Sequence, residues 1–205
     1  MDYTTLISFL AGAIALTLMP GPDNMYVLVQ SLSNGAKSGV ILSLGLASGI
    51  IIHTSLVAFG VSAFITQNEY TFLFVKIAGA IYMCYLAWME LKAEASIHLE
   101  TNTNQKTLPQ LYRQGFLMNV LNPKVTLFFL AFLPQFLFHQ SMSSFMQLLI
   151  LGILFMLQAA IIFSILAVSS GKLAPVLQQN KRFPIVMKWV KIVVLIIIAI
   201  MIFIP

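Results

Sequence analysis

Two short motifs place ionisable side chains beside prolines in the middle of apolar runs. The first is Met19-Pro20-Gly21-Pro22-Asp23-Asn24 and the second is Asn122-Pro123-Lys124. Proline removes a backbone donor and clashes with the preceding helical turn, so each motif is expected to break the helix it lies in. A break frees amide and carbonyl groups that lipid cannot satisfy, and it is tolerated only where protein or a watery cavity covers it. Of the six acidic residues, Asp23 alone falls well inside an apolar run. An ionisable group there is costly and marks a functional position by default. A carboxyl group at such a site can hold an ammonium group or exchange protons. Lys124 supplies the opposite charge. Amide ends of half-helices attract a carboxylate and freed carbonyls attract an ammonium group, and an amino acid carries both. There are two structural alternatives. Asp23 and Asn24 could serve as a helix cap, and Asp23 could form an ion pair with Lys124 that only fastens two helices.

Other polar residues within apolar runs add to this set. His53 lies four residues after Gly49 and so on the same helical face. An imidazole titrates near neutral pH and could relay protons, or His53 could be a satisfied interior side chain. Tyr82 could reach a cavity, and Trp88 reads as an interface anchor. Asn119 and Gln158 could line a pathway or join helices. Gly35, Gly39, Gly45 and Gly49 include two Gly-x-x-x-Gly spacings, which predict close packing of the second span.

The elements that must position these residues follow from composition. Hydrophobic residues make up 60% of the chain and charged residues only 8%, against about 25% charged in a typical soluble domain. The mean hydropathy is +0.94. A bilayer span needs about 20 apolar residues, and six such runs occur, at residues 4–30, 39–65, 71–91, 115–138, 144–169 and 185–203. No basic residue precedes the first run, so it is expected to be a retained helix and not a cleaved signal. The expected fold is an all-α integral membrane protein with one transmembrane domain over residues 1–205. A polar loop at 93–112 would join halves 1–92 and 113–205, each opening with an interrupted helix. Three spans per half is an odd number, so the halves would be inverted relative to each other. The connections after spans one, three and five hold eight Lys and Arg residues (Lys37, Lys92, Lys106, Arg113, Lys172, Lys181, Arg182 and Lys188), and those on the other side hold none. The positive-inside rule makes the basic side cytoplasmic and both termini periplasmic. Lys191, just inside span six, is expected to snorkel to the cytoplasmic interface. By helical rise the two breaks fall at similar depth, on the cytoplasmic side of centre.

Cys84 is the single cysteine, so an intramolecular disulfide and a Cys-rich metal site are both excluded. His53, His98 and His139 fall at scattered depths and only one carboxylate is deep, so no metal or acid-base cluster is expected and the chain is not expected to be a membrane-embedded enzyme. No Gly-x-x-x-x-Gly-Lys-Ser/Thr loop occurs, so ATP is not the expected energy source. The sequence calls for no cofactor, no metal and no nucleic acid.

The first motif, Met19 to Asn24, resembles the signature near the start of the LysE/RhtB family of amino-acid exporters, the lysine exporter and homoserine/threonine exporter group. Gly45, Gly49 and His53 are similar to that family's second span. Residues 76–82, Lys-Ile-Ala-Gly-Ala-Ile-Tyr, fit its third. Gly115-Phe116-Leu117, Asn119, Asn122-Pro123-Lys124, Phe128-Phe129 and Leu133-Pro134-Gln135-Phe136 fit its fourth closely. Span six departs from the pattern, with Lys191 near where glycines are expected. The resemblance implies export of amino acids or their derivatives across the bacterial inner membrane, driven by proton-motive force.

The expected function is therefore a secondary exporter with alternating access around the two breaks. Asp23 would couple an ion or bind an ammonium group. Asn24, Asn119, Asn122 and Lys124 would bind or orient substrate, Pro20, Gly21, Pro22 and Pro123 would shape the breaks, and His53 and Tyr82 complete the candidate set. A passive channel or a helper subunit of a membrane complex is the alternative, and a homodimer is compatible with either.

Overall fold

The computed structural model describes residues 3–64, 69–94, 106–138, 141–179 and 182–203, and all regular structure among them is helical. Chain order is α1 (Tyr3–Leu18), α2 (Pro22–Asn34), α3 (Ala36–Phe64), α4 (Glu69–Lys92), α5 (Leu108–Val120), α6 (Pro123–Phe132) running into a 3-10 turn (Leu133–Phe136), α7 (Ser144–Gln179) and α8 (Phe183–Met201). Helices α3, α4, α7 and α8 are each long and apolar enough to cross a membrane. The pairs α1–α2 and α5–α6 are bent by 58° and 53° at the two proline motifs, and counting each as one broken span brings the total to six. A bent pair followed by two long helices thus occurs twice in succession.

Several helix ends lie beyond the apolar runs. Helix α5 begins at Leu108, with the Gln110 side chain accepting from the Thr107 amide at 2.9 Å. Arg113, expected in the loop, is therefore helical. Helix α7 continues to Gln179, so most of the connection expected between spans five and six is helical as well. Hydropathy reports where lipid ends, whereas a helix ends where its backbone meets a stop signal. Residues 95–105 of the expected polar loop, His98 among them, lie outside the described residues, as do His139 and Lys181. Gly35 is not part of the α3 packing face. It ends α2 at φ +82°, a left-handed conformation that favours glycine, and among the described residues beyond its chain neighbours nothing lies within 4 Å of where its Cβ would be.

Lipid is as apolar as leucine, so helices in a bilayer are held by close packing more than by hydrophobic burial. The crossing of α3 and α5 shows this. A methyl group at Gly45 would collide with the Tyr112 carbonyl, and one at Gly115 with the Leu42 carbonyl. Gly49, one turn further along α3, leaves room for the Asn119 side chain. Helix α3 also packs along α7, and α4 along α8, so the equivalent long helices of the two repeats lie against each other. Outward-facing residues such as Ile51, Leu56, Ile153, Leu157, Ile161 and Ile196 are apolar, as a lipid-facing surface requires.

Beyond the breaks, the interior is filled by phenylalanines. Phe128, Phe129 and Phe132 of α6 are fully buried with Phe9 of α1, and Phe136 and Phe155 join them. Phe128 stacks on Phe132 at 4.4 Å between centroids, Phe132 meets Phe136 at 4.5 Å, and Phe129 meets Phe155 edge-on at 4.9 Å. This aromatic mass lies on one side of the two breaks, toward the end of the bundle where α1 begins and α6 finishes.

Candidate functional site

Helices α2 and α6 start alike. Each has a proline in its first turn, where the missing amide costs nothing, preceded by a residue in extended conformation: Gly21 before Pro22, and Asn122 before Pro123. Asn122 caps its own helix, its Oδ1 accepting from the Lys124 amide at 3.1 Å. At the other break Asn24 reaches back, and its Nδ2 donates to the Thr17 carbonyl at 3.1 Å, satisfying an acceptor that the break had freed. Thr17 is itself held from α7 by Gln158, whose Nε2 donates to Thr17 Oγ1 at 2.9 Å.

The two breaks meet. Asn122 Nδ2 donates to Asp23 Oδ2 at 3.1 Å, linking residues 99 positions apart. The Asp23 carboxylate is thus bonded across the interface, not to amides of its own helix, so its role is not simple capping. Asp23 is only 8% exposed. As an anion in the first turn of α2 it agrees with the helix dipole. Lys124, in the first turn of α6, opposes that helix's dipole. Among the described residues Lys124 has no carboxylate within 4.0 Å, whereas Lys191 pairs with Glu90. Asp23 and Lys124 therefore flank one space without closing on each other.

That space is a cavity of about 560 Å³, well within the range of small-molecule sites. Pro20, Gly21, Pro22, Asp23, Tyr82, Asn122, Pro123 and Lys124 line it, eight of the eleven residues singled out from sequence. It extends to Glu90 and Ala93 at the end of α4 and to Lys191 near the start of α8, the end of the bundle that carries the basic connections. Asn24 and Asn119 line a second, smaller chamber of about 30 Å³, which also has Asp23 and Lys124 in its wall. That is room for about one water molecule. Asn119 Oδ1 is buried there without a partner.

His53 lines neither cavity. It is buried behind the α5–α6 break, with Nε2 3.1 Å from the Asn119 carbonyl and Nδ1 3.3 Å from Thr126 Oγ1. A carbonyl only accepts, so Nε2 carries a proton. In the neutral ring Nδ1 then accepts from the Thr126 hydroxyl. In the charged ring it donates, which frees that hydroxyl for the Asn122 carbonyl 3.3 Å away.

Sequence reasoning missed two residues of the site. Glu90 is in the cavity wall, and Lys191, expected only to snorkel, has a carboxylate partner there. Its Nζ lies 2.8 Å from Glu90 Oε1. Lys188, one turn earlier, donates to the Leu91 and Ala93 carbonyls at 2.8 and 2.7 Å and caps the end of α4. An acid one residue before the end of span three and a lysine in the early turns of span six were the available signal. Their shared face was not readable without the α4–α8 packing.

Residues 14–204 match the family model described as LysE type translocator. The chain is similar to a homoserine/homoserine lactone efflux protein of Salmonella typhimurium, 29% identical over 153 residues, 75% of this chain and 74% of that one. An uncharacterized membrane protein of Vibrio cholerae has the same identity and coverage. The membrane protein YrhP of Bacillus subtilis is 31% identical over 142 residues, 65% of this chain and 68% of its own length. No solved structure matches the chain. With the model covering nearly the whole sequence, from the first broken span to the end of the sixth, the chain belongs to the LysE type translocator family.

Proposed function

We propose that this protein is a proton-coupled exporter of amino acids or their close derivatives across the bacterial inner membrane, working by alternating access around the two broken helices. One observation carries the reading: Asp23 and Lys124, each at the start of a half-helix, face a common 560 Å³ cavity without an ion pair between them. The carboxylate is suited to a substrate ammonium group or a proton, and the lysine, with the amide end of α6, is suited to a substrate carboxylate. The efflux function in the name of the Salmonella relative supports the direction of transport.

The eight basic residues in the connections on one side support a cytoplasmic assignment for that side, with both termini periplasmic. The cavity reaches the basic end and the phenylalanine mass fills the other, so this conformation is read as open to the cytoplasm. The halves 1–92 and 113–205 would rock about the breaks to reverse access. One chain supplies both breaks and the cavity wall, so the transport unit is a single protomer whether or not two associate as a homodimer.

The test uses proteoliposomes and radiolabelled homoserine and leucine. Wild-type protein should show counterflow, which a carrier performs and a pore does not, and an imposed pH gradient should drive flux. Asp23→Asn should abolish the pH-driven component. Unchanged pH-driven flux in that variant would remove Asp23 from coupling, and absence of counterflow in the wild type would defeat the carrier reading.

A further inference from the structure

The cavity wall carries four charged side chains, not two. Asp23 and Lys124 stand at the breaks without ion partners, while Glu90 and Lys191 stand toward the basic end and pair at 2.8 Å. We propose that the Glu90–Lys191 pair is the specificity-determining element of this cavity, and that it selects amino acids with uncharged side chains. This rests on the exporter reading above and narrows its substrate.

The two unpaired charges take the two charged groups that every amino acid shares. The ammonium group goes to Asp23 and the carboxylate to Lys124. What remains of the substrate meets Tyr82, Leu86, Met89, Met118 and Leu195, an aliphatic and thioether surface with one phenol. Methionines suit such a role, since their unbranched side chains adapt to ligands of different shape. A second cation or anion on the substrate would need a free counter-charge. Glu90 could serve a diamino acid and Lys191 an acidic one, but each already neutralises the other. A charged side chain would have to break that pair or sit unpaired in the cavity, and leaving one member of a partly buried pair uncompensated is unfavourable. Each partner is about a quarter exposed, with side-chain exposures of 27% and 25%, so water screens part of the penalty. The expected discrimination is about tenfold to a hundredfold.

The pair also fastens α4 to α8, so the experiment must separate selectivity from stability. Counterflow is measured in proteoliposomes with labelled leucine, methionine, homoserine, lysine and glutamate. Wild-type protein should exchange the first three at least tenfold faster than the last two. Lys191→Met frees the Glu90 carboxylate and should raise the lysine-to-leucine rate ratio about tenfold. Glu90→Gln frees Lys191 and should raise the glutamate-to-leucine ratio similarly. The double exchange Glu90→Lys with Lys191→Glu should return the profile to uncharged substrates. A purely structural pair predicts uniform loss of flux with no gained substrate, and that result would overturn the inference. So would wild-type exchange of lysine or glutamate at the leucine rate. Exchange of none of the five amino acids by the wild type would defeat the exporter reading itself, and this inference with it.

Discussion

Replacing Lys124 by methionine separates a lysine that waits for a ligand from one that holds the fold together. A lysine kept for structure would have a carboxylate in contact, and removing it would leave that acid buried and unpaired at a cost of about 3–5 kcal/mol. Lys124 has no such contact; the nearby Asp23 is bonded to Asn122 instead. As a cation in the first turn of α6 it also opposes the helix dipole, a conflict of about 0.3–1 kcal/mol at exposed sites and up to about 2 in partly buried geometries. Methionine keeps most of the stem and its packing against the cavity wall while removing that conflict. The folded protein should therefore be as stable as the wild type or slightly more so. Binding should move the other way. Loss of one charge-assisted contact to the substrate carboxylate is worth about 1.5–3 kcal/mol, or about 10- to 150-fold in affinity. Thermal unfolding in detergent measures the first effect, and the half-saturating substrate concentration for counterflow measures the second. A variant that unfolds several degrees earlier and keeps its affinity would contradict a ligand-binding role for Lys124. It would mean that Lys124 supports the fold through a contact this conformation does not show.

Asn122→Ala removes both a helix cap and the bond that holds Asp23 across the breaks. It should lower stability by about 2–4 kcal/mol and weaken pH-driven flux more than counterflow, as comparison of the two assays would show. Gly45→Ala places a methyl group against the Tyr112 carbonyl and should cost roughly 1–3 kcal/mol by forcing α3 and α5 apart. Gly60→Ala on the same helix meets none of the described residues outside its own helix within 4 Å and should be neutral or stabilising by up to about 1 kcal/mol, so the pair of melting temperatures checks the assignment of the crossing.

Local residue types were enough to fix the solvent and the breaks. Sixty per cent hydrophobic residues in runs of about 20 admit only helices in lipid, because a helix satisfies its backbone internally. Proline acts on its own turn whatever surrounds it, so Pro20, Pro22 and Pro123 announced the two bends. What depends on lipid-facing periodicity alone was less legible. The ends of α5 and α7 ran past the apolar runs, since helices stop at backbone signals and not where hydropathy falls. Gly35 fitted a packing spacing but serves as the turn between α2 and α3, because spacing does not report which glycine adopts positive φ. Contact across sequence distance was decided only by tertiary structure. Asp23 and Lys124 were singled out from sequence, but that they flank one cavity, with Asn122 bonded to Asp23, became visible only in the fold. Glu90 and Lys191, 101 positions apart, became one element of the site only when α4 packed along α8. Side-chain types are local, but an electric field inside a membrane is the sum over every charge the fold brings near, and no span carries that sum within its own residues.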